Sequence, residues 1–211
     1  MSESRISRRG ILKTAGAIGV IGALSSSATA LADEGEKGER ARFRWDIIDI
    51  NFTTLTASAG GIASAHADDG SRITLKGSGT FRPGDRKAVT GGGTWSTTGT
   101  AGVGNGTYKV TELVEWHLAP GTFPLVFDAI GNKADARAGL AVLRVRYSDQ
   151  SEGILVVSCQ IAGTPPSVFE GITTSRGFVD YWNRDSGMDS AGHIINENHT
   201  LFHLLSKAEN D

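Results

Sequence analysis

The chain has 211 residues, with 21 basic and 23 acidic side chains and a formal charge of −2. It has no long basic run, which argues against nucleic acid as a partner, and its single cysteine, Cys159, rules out a disulfide within the chain. Twenty-eight glycines beside 39% apolar residues point to glycine-punctuated strands rather than to disorder.

At the N-terminus, Ser7-Arg8-Arg9-Gly10-Ile11-Leu12-Lys13 precedes a Gly/Ala-rich, weakly hydrophobic segment, Thr14–Leu24. Small-residue cleavage sites follow at Ala28-Thr29-Ala30 and Ala30-Leu31-Ala32, so cleavage is expected after Ala30 or Ala32. This order resembles a twin-arginine signal peptide over residues 1–32, with Arg8 and Arg9 as the paired arginines. The resemblance implies recognition by the twin-arginine translocation machinery and export in a folded state to the periplasm or beyond. Thr14–Leu24 is too short and too glycine-rich to span a bilayer, so no stable membrane anchor is expected in the mature form. Removing residues 1–32 takes away one acid and four bases, leaving a mildly acidic domain.

Residues 33–42 are charged and aperiodic, a lead-in to a single β domain over 43–206 with a short tail at 207–211. Phe43–Leu55 carries apolar residues on both alternating faces and predicts a long strand. Ala57–Ala65 fits a loop or a tight strand. Asp68-Asp69-Gly70-Ser71 predicts a turn before Arg72–Leu75.

Next comes a phrase repeated four times: Gly79-Thr80-Phe81, Gly93-Thr94-Trp95, Gly106-Thr107-Tyr108 and Gly121-Thr122-Phe123. A glycine lets a strand bend, and an aromatic two residues on lies on the same face and can cover the bare backbone. The cadence predicts a meander with turns at Arg82–Asp85 and Gly102–Gly106. It loosely resembles the glycine/aromatic rhythm of lipocalin-like and allene oxide cyclase or dirigent-like barrels. Tyr108–Leu118 reads as an alternating strand, with Tyr108, Val110, Glu112, Val114 and Trp116 on one face and Lys109, Thr111, Leu113, Glu115 and His117 on the other. Pro124 demotes Phe123–Phe127 to an edge.

Ala129–Arg137 reads as a polar loop, with a short helix as an option over Ala134–Leu143. A hairpin of Gly139–Tyr147 and Ile154–Ile161 follows. Val168–Tyr181 holds one or two strands, Trp182–Asn198 a long loop, and Thr200–Leu205 a last strand or helical turn. Short strands divided by turn signals define an all-β class, an antiparallel meander forming a barrel or barrel-like sandwich.

Glu115 and His117 share a face, so they are the catalytic candidates: if they point into a barrel, a carboxylate beside a histidine makes an acid/base pair. Trp95, Tyr108, Trp116, Tyr181 and Trp182 are the candidate contacts for a small apolar or sugar ligand. Phe178, Tyr181 and Trp182 together also fit a core plug. His199 and His203 lie about 13 Å apart on a strand, too far for one metal, and no metal or cofactor is expected. His66, Asp128 and Ser186 occur in the order of a serine-protease triad, but Arg184 and Met188 stand where an oxyanion hole needs glycine. The leading expectation is a non-catalytic ligand-binding or interaction module. The alternatives are an isomerase, cyclase or hydrolase using Glu115 and His117, or a metal protein combining His117 with His193, His199 or His203.

Overall fold

The computed structural model describes residues 41–124 and 126–205. The signal segment, nearly all of the lead-in and the tail lie outside these residues. The regular structure of the described residues is almost entirely strand: β1 (Arg42–Asn51), β2 (Thr56–Ala59), β3 (Ala63–His66), β4 (Arg72–Arg82), β5 (Asp85–Thr98), β6 (Gly104–Ala119), β7 (Phe127–Asp128), β8 (Ala136–Tyr147), β9 (Glu152–Cys159), β10 (Gly171–Arg176), β11 (Val179–Tyr181), β12 (Asn183–Arg184) and β13 (His199–Leu205). Among the described residues, one 3-10 turn covers Lys133–Asp135, capped by the Asn132 side chain, which accepts from the Ala134 N–H.

The strands form one sheet in the order β11-β10-β9-β8-β6-β5-β4-β1-β2-β7. Strand β13 pairs with both β1 and β8, so β1, β4, β5, β6, β8 and β13 close into a ring. Every strand pairing is antiparallel except β2 with β7. The all-β expectation therefore holds. Meander order survives in β4-β5-β6 and β8-β9-β10-β11, while ring closure joins strands distant in sequence.

Residues opposite one another in antiparallel strands share a face. On the enclosed face, Phe43 lies opposite Phe81, Trp45 opposite Phe202, and Tyr108 opposite Tyr147. Two aromatic groups fill that face. Trp116 packs on Phe43, Phe81 and Phe202 at ring-centroid distances of 4.9, 5.0 and 4.7 Å. Tyr147 packs on Trp95 and Tyr108 at 5.8 and 6.1 Å, and the Arg176 guanidinium lies 3.9 Å over the Trp95 ring.

Three of the four repeated phrases fall in strands β4, β5 and β6, and all four aromatics, Phe81, Trp95, Tyr108 and Phe123, are buried. The cover they provide differs from the expectation. Glycines are covered by rings from other strands: a Cβ on Gly79 would stand 2.8 Å from Trp45 Nε1, and one on Gly106 3.0 Å from Trp95 Nε1. A Cβ on Gly77 would meet the Tyr108 hydroxyl. The glycines let β4 and β5 approach closely enough for rings to lie over their backbones. The fourth phrase lies outside the strands, in a loop where Thr122 bridges to Ala162.

Strand β6 corrects the simple alternation. Tyr108, Val110, Leu113 and Trp116 lie opposite Tyr147, Val145, Leu143 and Ala141, with register shifts between Val110 and Glu112 and between Leu113 and Glu115. Each bulge adds one residue and moves the inward face on by one. Leu113 thus joins Tyr108 inside, while Glu112 turns outward to an ion pair with Arg86 at 2.6 Å. The helix option over Ala134–Leu143 is overturned, because β8 begins at Ala136 and pairs along its length with β6 and β9. Ala57–Ala65 forms two short strands, β2 and β3, instead of one.

Candidate functional site

The cleft is built where strand pairing runs out. Beyond β1, Asn51 Oδ1 accepts from the N–H groups of Thr53 and Thr54, and the turn projects Phe52 and Leu55 outward. Residues 185–198 are tied back by asparagine side chains. Asn196 accepts from Ile50 N–H at 2.6 Å and donates to Asp49 at 2.6 Å. Asn198 is buried with φ of 61°; its N–H donates to Ile62 O at 2.8 Å, and its side-chain oxygen accepts from Ser64 N–H. Asparagine tolerates this left-handed conformation better than most residues.

Between these segments lies a cleft of about 830 Å³. Ile48, Ile50, Phe52, Leu55, Phe123, Val126, Ile161, Met188 and Ile194 line it, with Glu170, Arg184, Asp185, His199 and Thr200 as its charged and polar members.

Glu170 precedes β10 and bridges two strands that do not pair there. Its carboxyl accepts from the Gln160 N–H, just past β9, and from the Thr200 N–H of β13 at 2.6 Å. Burial pushes this carboxyl up to about 8, against the opposing pull of those donors. His199 is half-buried. Its Nε2–H donates to Ile195 O at 2.8 Å, which leaves Nδ1 as the acceptor of the neutral ring. Burial lowers its affinity for a proton. At the rim, Asp185 accepts from Arg72 at 2.6 Å and holds His66 Nδ1 at 2.8 Å, and Arg72 also reaches Glu197 at 3.1 Å.

The catalytic and ligand-contact candidates from sequence lie elsewhere, although His199 and Ser186, weighed there as a metal ligand and a triad member, line the cleft. Glu115 and His117 pair with each other at 2.8 Å, but their side chains are 56% and 64% exposed and do not line the cleft. The inward orientation that an acid/base role in a barrel requires is absent: Trp116 between them points inward instead. Trp95, Tyr108 and Tyr181 are buried packing residues, Trp116 is half-buried among phenylalanines, and Trp182 is 48% exposed. Of the suspected plug, only Tyr181 is buried, since Phe178 is fully exposed at the β10–β11 turn. The triad ordering is not realised either. His66 binds Asp185, Asp128 is buried against His203 Nε2 at 2.7 Å, and Ser186 Oγ accepts from Met188 N–H. Cys159 is fully buried, and burial pushes its thiol well above the usual range. Among the described residues no group of three histidine, cysteine or carboxylate side chains could hold a metal.

Glu170 was missed from sequence. It is the only acid between Glu152 and Asp180, but one carboxylate before a strand reads as a solvated surface residue. Its role emerges from two backbone N–H groups that lie far from it along the chain.

The fold and cleft define a ring-closed all-β protein with an apolar cleft at the seam of its sheet. Compared with protein-family models, curated proteins and solved structures, the chain matches none.

Proposed function

We propose that this is an exported, non-catalytic binding module that takes a small apolar molecule into the cleft beside Glu170. One observation carries the reading: Phe52, Leu55, Met188 and Ile194, all large and apolar, are 42–55% exposed on the walls of one cleft. Apolar surface gathered in a concavity gains free energy when a ligand covers it. The aliphatic character of the walls favours an apolar ligand over a sugar, whose many hydroxyls would need more polar partners.

The test is titration with N-phenyl-1-naphthylamine, an uncharged apolar fluorophore. Saturable binding is expected, weakened about tenfold or more by Phe52→Asp or Ile194→Asp. Equal binding by wild type and both variants would remove the cleft from the reading. Export is tested separately: the Arg8→Lys, Arg9→Lys precursor should stay inside the cell, and normal export of that variant would refute the twin-arginine route.

A second reading, acid–base catalysis in the same cleft, is supported by the Glu170 carboxyl at about 8, near the range of an effective general acid. Recovery of bound ligands chemically unchanged after prolonged incubation would exclude it.

A further inference from the structure

We propose that Glu170 is the specificity-determining anchor of the cleft and selects apolar molecules with an uncharged oxygen head group, a hydroxyl or carbonyl, over those ending in an ionised carboxylate. The inference rests on the cleft being a ligand site. It follows from which atoms of Glu170 are already committed.

The N–H groups of Gln160 and Thr200 donate to the Glu170 carboxyl, and the Thr200 hydroxyl lies 3.4 Å from it. The Thr200 hydroxyl gives its hydrogen to Ser158 O at 2.6 Å, and 3.4 Å is too long for it to accept well from a carboxyl O–H. Glu170 in its acid form therefore keeps one donor that none of these partners accepts, on a residue lining the cleft. An unpartnered donor in apolar surroundings favours a ligand acceptor. A hydroxyl or carbonyl oxygen supplies one. An ionised carboxylate also accepts, but must leave water for an apolar wall.

His199 strengthens the case for a hydroxyl. It lines the same cleft, and with its Nε2–H spent on Ile195 O its free Nδ1 can only accept while the ring is neutral. An alcohol can accept from Glu170 and donate to His199. The charged and titratable groups around Glu170 come from several elements: Cys159 of β9, His199 of β13, Arg184 of β12, and Asp185 just after it. Asp185 is already paired with Arg72 and His66. Arg184 lies 5.1 Å over the Phe169 ring and is the cation that would favour the competing carboxylate. Burial holds Glu170 in its acid form up to about pH 8; above that value the ionised carboxyl repels a carboxylate ligand and still accepts from an alcohol but no longer donates to a carbonyl, so the selection against carboxylates should sharpen and carbonyls should lose ground to hydroxyls.

The test uses the full chain and displacement of N-phenyl-1-naphthylamine by three matched probes: 1-dodecanol, 2-dodecanone and dodecanoate. Phe52→Asp defines the signal that belongs to the cleft. At pH 7 the alcohol and ketone should bind about tenfold more tightly than dodecanoate. As pH rises to about 9.5 and Glu170 ionises, dodecanoate should fall further behind the alcohol, and the ketone should weaken relative to the alcohol, which can still donate to the carboxylate. Glu170→Gln should lose the pH dependence, and if it does not fold, the wild-type probe series decides. Equal or tighter binding of dodecanoate at pH 7 would overturn the selection while leaving the cleft as a ligand site. An unchanged pH profile in folded Glu170→Gln would do the same. Failure of all three probes and of the fluorophore to bind would overturn the ligand site itself, and the selection with it.

Discussion

The β4–β6 sector and the cleft region meet the same requirement, satisfying backbone and burying apolar surface, by opposite means. In β4–β6, long strand pairings take up most of the backbone donors between the turns, and aromatic rings lie directly over glycine backbones. Around the cleft, pairing stops, and side chains of Asn51, Glu170, Asn196 and Asn198 take up the N–H groups that no strand accepts. Where backbone pairs with backbone, side chains are free to pack and leave little space. Where side chains serve the backbone, apolar neighbours are left facing a gap. The cleft occurs here because a seam closed by side chains cannot also be filled by them.

The largest effect should come from damaging the close approach of β4 and β5. A Cβ on Gly93 would clash with Lys76 O and stand 2.7 Å from Gly77 Cα, both backbone atoms that cannot swing away. Gly93→Ala should cost about 3 kcal/mol or more, read from urea unfolding. A cost under about 1 kcal/mol would mean the strands can part, contrary to the contrast drawn between the two regions.

Comparable in size is the buried pair of Asp128 with His203, whose side chains are 2% and 3% exposed. Asp128→Ala should cost about 3–5 kcal/mol, because it leaves the histidine buried without its acceptor. His203 Nδ1 already lacks a partner among the described residues, so the ring depends on Asp128 alone. A melt unchanged from wild type would show that the pair contributes nothing.

A smaller effect should separate the regions by pH. Glu170 has a folded value raised to about 8 from the usual 4.5. Between those values the unfolded chain has released this proton while the folded chain still holds it, so stability falls as pH rises through the window and levels off above about 8. His199 acts in the opposite sense below its ordinary 6.5, where burial opposes protonation and stability falls as pH drops. Subtracting the Glu170→Gln profile from wild type isolates the first trend. A flat difference between pH 4.5 and 8 would show that the carboxyl is solvated.

The smallest effect is expected at Glu115 and His117. Their pair is exposed on the outer face of β6, so His117→Ala should shift neither the melt nor fluorophore binding beyond error. A loss of binding would restore the site first expected from the sequence.

Much of the β fold could be read from local pattern. The turn at Pro83-Gly84, the hairpin of β8 and β9, and the burial of Phe81, Trp95 and Tyr108 follow from turn chemistry and period-two spacing. The two bulges in β6 could not be read this way. Val110-Thr111-Glu112-Leu113 alternates well enough as a plain strand, and only pairing with β8 decides that Leu113 turns inward. The second bulge restores the count, so Glu115 and His117 keep the face opposite Tyr108 and Trp116 that plain alternation gives; what local pattern left open was which of the two faces is enclosed.

By itself, then, the sequence determined strand content, the principal turns and the burial of Phe81, Trp95 and Tyr108, because these depend on neighbours within a few residues. Ring closure by β13, the aromatic cover of glycines by other strands and the placement of Glu170 were decided only by tertiary structure. Thr200 lies 30 residues from Glu170 and Ser158 lies 42 from Thr200. No local pattern encodes such meetings, because they exist only once the sheet has closed and brought the N–H groups of Gln160 and Thr200 to the Glu170 carboxyl.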